Sequence, residues 1–251
     1  RRLRSALQLF ADLLPEAPAQ ALEAELEWLA DALGPARDLD VFADEVLEPA
    51  RRAVPDPAVL DILLQRAERK RRRAYRLVAE ALGSARYGAL TLEILRWRSL
   101  EVWRQDRPAD SLAALDEPLG RLAGRLLDRL QGRVLKRGKG FARLDAAGRH
   151  RVRIALKKLR YAVEFFGDLY SGSRCRGYLK RLKRLQDDLG RANDVATAAS
   201  LLDAVAGRSP TAPLARAVGA ISGWHRRGVA ELEPKLLKDW RSFAAAAPFW
   251  R

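Results

Sequence analysis

The sequence predicts an all-α protein. Apolar residues recur every three or four positions along most of the 251 residues, and no stretch alternates apolar and polar residues as a half-buried β-strand would. Hydrophobic residues make up 48% of the chain, which is enough to bury a sizeable core in one or two domains. Short connections between the periodic stretches favour antiparallel helices packed as bundles.

Ten helical segments are expected along the chain. Gly34 with Pro35, and also Gly190, are expected to end helices. Asp38 and Asp194 can cap the helices that follow. The expected segments are residues 19–33, 38–53, 57–82, 86–106, 111–137, 145–170, 175–189, 194–207, 211–229 and 231–245.

An internal repeat divides the chain. Shifting the sequence by 156 residues aligns residues 1–38 with residues 157–194, and both stretches end in a Leu-Gly-x-x-Arg/Asn-Asp corner. We therefore expect two related helical halves, residues 1–107 and residues 111–251, which together form one domain. The repeat also implies that the first-half counterpart of residues 111–149 lies before residue 1.

The positive charge is concentrated in one part of the chain. The formal net charge is +15, and residues 121–184 hold 20 Lys and Arg side chains against four acidic ones. Of the 47 cations, 38 are arginines, whose planar guanidinium matches phosphate oxygens two at a time. A solvated, arginine-rich surface would explain the overall excess, but it explains the concentration less well. The pattern points to a polyanionic partner.

Several classes of protein are excluded. No run of about 18 apolar residues could form a transmembrane helix, and the start of the sequence lacks the features of a signal peptide. The lone Cys175 rules out a disulfide scaffold and fits a reducing cytoplasm. With only His150 and His225, the chain cannot build a histidine cluster, and no paired carboxylates or nucleophile with a base are evident. We expect no catalysis, no metal and no cofactor.

One predicted helix has an unusual distribution of charge. His150, Arg153, Lys157 and Arg160 fall on one stripe, which we call the basic stripe. It lies between two apolar faces, so the helix is expected to line a groove or pore in which a bound anion offsets the repulsion. The broad face comprises Val152, Leu156, Leu159, Val163 and Phe166, and the second comprises Ile154, Tyr161 and Phe165.

Other basic faces recur at helical spacing. Taken singly, each is explained better as solvated surface than as a binding site. They comprise Arg66, Arg69, Lys70 and Arg73 in the first half, and Lys180, Lys183 and Arg184 in the second.

The segment from His150 to Glu164 resembles the signature helix of the CHAD domain family, the conserved histidine α-helical domains. The likeness continues through the two Leu-Gly corners and the closing Pro248-Phe249-Trp250. It implies two pseudo-symmetric four-helix bundles around a basic central pore, binding of inorganic polyphosphate and association with polyphosphate granules. The family's first-half histidine would lie before residue 1. The candidate polyphosphate-binding residues are His150, Arg153, Lys157, Lys158, Arg160, Arg1, Arg2, Arg4, Arg66, Arg69, Lys70, Arg73, Lys136, Lys180, Lys183 and Arg184.

The resulting hypothesis is a cytoplasmic, non-catalytic module that binds inorganic polyphosphate and no membrane. Free phosphate or sulfate would mimic this ligand. Three alternatives stay open at this point: a helical protein that binds nucleic acid, an accessory domain of a polyphosphate or phosphate-ester hydrolase, and a scaffold for an acidic protein. A nucleic-acid-binding protein would present an exposed basic face or stacking aromatic residues.

Overall fold

A computed structural model describes residues 2–52, 54, 56–105, 108, 112–170 and 172–251, with the backbone alone described at 52 and 192–197. No strand occurs in these ranges, and the all-α prediction is confirmed. None of the described helices is long and apolar enough to cross a membrane. The helices are α1 (Arg2–Leu9), α2 (Glu16–Val41), α3 (Pro57–Leu82), α4 (Ala85–Ser99), α5 (Leu119–Arg137), α6 (Ala146–Phe166), α7 (Ser173–Ala206) and α8 (Ala212–Ala244), with a π-helical turn at Phe42–Leu47 after α2.

Three of these helices are longer than the sequence pattern indicates. Helix α2 continues through Gly34 and Pro35, so the predicted end there and the cap at Asp38 are both wrong. Helix α7 likewise continues through Gly190, and the side chain of Asp194 lies outside the described residues. Helix α8 joins the last two predicted segments, 211–229 and 231–245, without a break at residue 230, and Pro234 lies inside it.

Tertiary packing explains the continuity of α2. A proline inside a helix removes one backbone hydrogen bond and crowds the preceding turn. The residues just after Pro35 compensate, because Ala36 and Leu39 are buried in a small cluster with Ala74 of α3. The apolar period of this region is therefore a better guide to the helix than its glycine and proline.

The chain forms two compact units. Unit 1 comprises Arg1–Glu27, Ala89–Gly190 and Pro234–Arg251. Its core is built by α5, α6, the first half of α7 and the end of α8, and an aromatic group closes it around Tyr178. The Tyr178 ring lies 5.5 Å from that of Phe249 and 5.2 Å from that of Trp250, centroid to centroid. The fully buried residues of this core include Leu127, Val134, Leu156, Leu159, Leu182, Leu185 and Phe243.

Unit 2 comprises Trp28–Gly88 and Arg191–Glu233 and has a core of its own. Phe42 and Leu47 from the π-helical turn pack in this core, as does Leu63 of α3. The other side of the core comes from the second half of α7 and the first half of α8, with Leu202 and Ile221 both buried. Each unit thus combines segments from both predicted halves of the sequence. The internal repeat and the central pore stay predictions.

Candidate anion-binding site

Helix α6 places the basic stripe on the surface of unit 1. The helix begins after Asp145, whose Oδ1 accepts a hydrogen bond of 2.7 Å from the backbone N–H of Gly148 and so caps the first turn. Its broad apolar face is buried as predicted, with Val152, Leu156 and Leu159 fully inaccessible to solvent. This burial fixes the rotation of the helix and directs the basic stripe away from the core.

The basic stripe covers about 15 Å of helix, since its ends are ten residues apart at a rise of about 1.5 Å per residue. His150 is exposed, and the other three cations are half-buried. The second apolar face is closed only in part, because Tyr161 is buried but Ile154 is 39% exposed. A row of partly desolvated cations therefore remains open to an anion along one side of α6.

Arg160 is held in place by polar contacts at one end of the basic stripe. Its Nε donates a hydrogen bond of 2.8 Å to Gln186 Oε1 of α7, and its Nη1 donates one of 2.7 Å to Glu164 Oε1. The guanidinium also lies 4.8 Å from the centre of the Tyr161 ring, and Lys157 Nζ lies 5.9 Å from it. Arg160 is thus oriented before any ligand arrives, although Glu164 offsets part of its charge.

Arg153 has an unsatisfied donor. Its Nε is buried and has no hydrogen-bond partner among the described residues. A buried donor without a partner costs free energy. Arg153 is therefore a half-buried cation with one unsatisfied donor in the middle of the basic stripe.

A second group of cations lies on the other side of α6. Desolvation is the main cause that lowers the pKa of Lys158, and the nearby positive charges of Arg137, Arg133 and Arg4 lower it further, while Glu23 acts in the opposite direction. We call these four cations the Lys158 cluster. Arg133 and Arg137 were not predicted as binding residues, although their spacing of four on α5 places them on one face.

The predicted residues near the start of the chain differ in their surroundings. Arg1 lies outside the described residues. Arg2 is exposed, and its guanidinium lies 5.8 Å from the centre of the Phe165 ring. Arg4 forms ion pairs with Glu27 at 2.6 Å and with Glu23 at 3.5 Å. Part of the positive charge of α1 is therefore already neutralised by α2.

The predicted basic face of α3 lies in unit 2, and its four cations fall into two groups. Arg66 donates hydrogen bonds of 2.6 Å and 3.4 Å to the carbonyl oxygens of Ala206 and Val205, and so caps the end of α7. The other three cations of this face are exposed and form no ion pair with a described residue; they are Arg69, Lys70 and Arg73.

The remaining predicted cations are exposed in unit 1. Lys136 lies in the last turn of α5. On α7, Lys183 precedes Gln186, the residue that accepts the hydrogen bond from Arg160, by three residues, so the two lie on one face of α7. Lys180 and Arg184 are also exposed, and Arg184 Nε lies 3.0 Å from Asp239 Oδ2 of α8.

These features define a class of protein: an all-α domain with an arginine-rich surface centred on one helix. The family model of the CHAD domain matches residues 1–203, and the chain belongs to this family. The structure is similar to the crystal structure of the CHAD domain from the plant Ricinus communis, with 34% sequence identity and a TM-score of 0.78, over 98% of this chain and 79% of that one.

A second solved structure shows the same fold at lower identity. PptA from Streptomyces chartreusis is 20% identical, with a TM-score of 0.71, over 96% of this chain and 86% of that one. No curated protein matches the chain.

Proposed function

We propose that this CHAD domain binds inorganic polyphosphate without catalysing a reaction, and that the basic stripe of α6 is the main contact. The observation that supports this most directly is the partly buried row of cations, with the unsatisfied Nε of Arg153 in its middle. Membership of the family, with which polyphosphate binding and polyphosphate granules are associated, supports the same ligand.

The chemistry of polyphosphate suits such a row. It is a thin, flexible chain with about one negative charge per phosphate unit, so successive units can follow cations spaced along a helix. Arginine and lysine form charge-assisted hydrogen bonds to phosphate oxygens, and binding releases counterions. The affinity should therefore fall steeply as the salt concentration rises.

Nucleic acid is the second candidate, and one observation favours it. Arg69, Lys70 and Arg73 form an exposed basic face without ion pairs to described residues, as a contact to a phosphate backbone requires. The aromatic residues divide on base stacking, because Trp97 and Phe166 are buried whereas Tyr75 of α3 and Trp224 are exposed.

A pair of triple substitutions separates these candidates. Changing Arg153, Lys157 and Arg160 to Ala should weaken binding of long-chain polyphosphate by at least about 100-fold, because several charge-assisted hydrogen bonds are lost together. The matched control changes Arg69, Lys70 and Arg73 to Ala, which removes the same number of charges and should have an effect of a few-fold. Titration calorimetry at two salt concentrations measures both, and circular dichroism checks the fold.

Three results would contradict the proposal. The first is a larger loss of polyphosphate affinity in the control than in the triple variant of the basic stripe. The second is tighter binding of duplex DNA than of polyphosphate at physiological salt. The third concerns catalysis: release of phosphate from polyphosphate in the presence of Mg²⁺, abolished by one carboxylate substitution, would make the domain an enzyme.

A further inference from the structure

A cavity between α7 and α8 in unit 1 lies apart from the basic stripe. Its volume is about 310 Å³, at the small end of the range for ligand pockets. Four of its lining residues follow one face of α7 at helical spacing, and the other two come from one face of α8. The lining residues are Gly177, Lys180, Arg181, Arg184, Asp239 and Ser242.

The charges in this cavity favour an anion. Three cations face a single carboxylate, and a hydroxyl group adds a neutral donor. Lys180 and Arg181 form no ion pair or hydrogen bond with any residue that the structure describes. Two exposed positive side chains therefore line a partly open cavity without a counter-charge of their own.

The carboxylate of Asp239 is already neutralised. It is 7% exposed, and its Oδ2 lies 3.0 Å from Arg184 Nε and 3.4 Å from Lys235 Nζ. Burial alone would raise the pKa of Asp239, but its contact with Asp188 and the hydrogen bonds that it accepts from Arg184 and Lys235 outweigh burial and lower it. Asp239 therefore stays ionised and orients the guanidinium of Arg184, whose two Nη groups form no hydrogen bond or ion pair to a described residue.

From this arrangement we infer that the cavity is a second binding site, which takes a compact phosphate group. Two guanidinium groups can each present paired N–H donors to phosphate oxygens, and the Lys180 ammonium and Ser242 hydroxyl complete a donor set for a tetrahedral anion. The group is either free phosphate or the terminal phosphate of a longer chain, since both offer the same oxygens. The site does not depend on the function proposed for the basic stripe.

Pyrophosphate is the probe for this site, and a double substitution with a matched control tests it. Changing Lys180 and Arg181 to Ala should weaken binding of pyrophosphate by at least about tenfold, because charge-assisted hydrogen bonds are lost. The control changes Arg174 and Arg176 to Ala, which removes the same charge from the same helix outside the cavity, and should lower the affinity less than about twofold. Titration calorimetry at constant ionic strength measures both.

Further titrations identify the source of the phosphate group and distinguish the cavity from the basic stripe. A tenfold loss with orthophosphate as well as pyrophosphate supports a site for the free ion. A loss confined to pyrophosphate and to the ends of longer chains supports a site for a chain terminus. The triple variant of the basic stripe should lose less pyrophosphate affinity than the cavity variant does, whereas it should lose more affinity for long-chain polyphosphate. Equal losses in the cavity variant and the control, or no binding of pyrophosphate by the natural chain, would overturn the inference.

Discussion

Lys158 shows at the scale of one residue what a cationic surface costs the folded chain. The side chain is exposed as a whole, but its ammonium group loses part of its hydration, and Arg133 and Arg137 lie close enough to lower its pKa. The ammonium group is consequently less stable in the folded chain than in the unfolded one. This loss of folding stability remains until an anion approaches the ammonium group or the group loses its proton.

We predict that Lys158→Met stabilises the unliganded protein at neutral pH. The folded-state pKa of Lys158 lies below the unfolded value near 10.5, so the unfolded chain binds more protons between the two values. The destabilisation of the folded chain by Lys158 is therefore largest below the folded-state pKa, and it declines as the pH rises toward 10.5. Urea unfolding of both proteins at pH 7, 9 and 10.5 should show an advantage of the variant that shrinks with pH. Lys139→Met, at an exposed turn, is the control, and an equal gain there would contradict this explanation.

Among the elements, the turn after α5 requires glycine at two positions. Gly138 is buried at the end of this helix, and a Cβ atom there would lie 1.9 Å from the Trp240 ring. That ring is stacked on Phe141 with 4.6 Å between centroids. Gly140 has a φ of 68°, in the left-handed region that favours glycine. These glycines therefore allow the close approach of α8 and the tight turn.

We predict opposite effects for two Gly→Ala changes on α5. Gly138→Ala must displace the Trp240 ring and should lower the free energy of unfolding by about 1–3 kcal/mol, as overpacking does. Gly132→Ala meets no atom within 4 Å and should raise it by about 0.4–1 kcal/mol, because alanine restricts the unfolded chain. Chemical denaturation measures both. A neutral Gly138→Ala would show that the ring moves without cost.

The helix boundaries were predictable from the sequence for some elements and not for others. The pattern predicted α3 to the residue, because Asp56 caps it and Gly83 follows its last turn. It failed at Gly34, where packing of Ala36 and Leu39 holds α2 together across a local breaking signal, and at Gly190 and residue 230, where α7 and α8 continue. The basic stripe was predictable because all its members lie on one helix. Arg4, Lys158, Lys180 and Arg184 were also predicted as binding residues. Their grouping into the Lys158 cluster and the cavity between α7 and α8 was not predictable, since it joins elements far apart in sequence.

For the whole molecule, the chain enters and leaves each compact unit more than once. The boundaries of the units fall inside α2, α4, α7 and α8, so cutting the chain between the predicted halves leaves unit 2 without residues 28–88. The core of that unit would then lose every residue contributed by α3 and the π-helical turn. The core cluster built by α5, α6, α7 and α8 would lose only Leu9, although unit 1 would also lose the buried Leu7, Leu22, Leu90, Trp97 and Val102.

We predict that a fragment of residues 111–251 is protected from hydrogen exchange unevenly. Backbone amides of α5 and α6 should stay protected, because their buried partners are retained. Amides of residues 198–206 and 212–221 should exchange at least tenfold faster than in the whole chain, because their packing partners are absent. Exchange followed by mass spectrometry measures both regions in one sample. Equal protection in the two regions, high or low, would contradict this.

The contacts of Trp250 have a consequence for synthesis on the ribosome. Its indole Nε1 donates a hydrogen bond of 2.9 Å to Asp128, and its ring packs on Tyr178. A nascent chain can form α5, α6 and α7 early, but it cannot complete the core they share until residues 236–250 have left the exit tunnel. Translation therefore delays closure of the first unit until after most of the second has been made, and apolar surface stays accessible to chaperones during that interval.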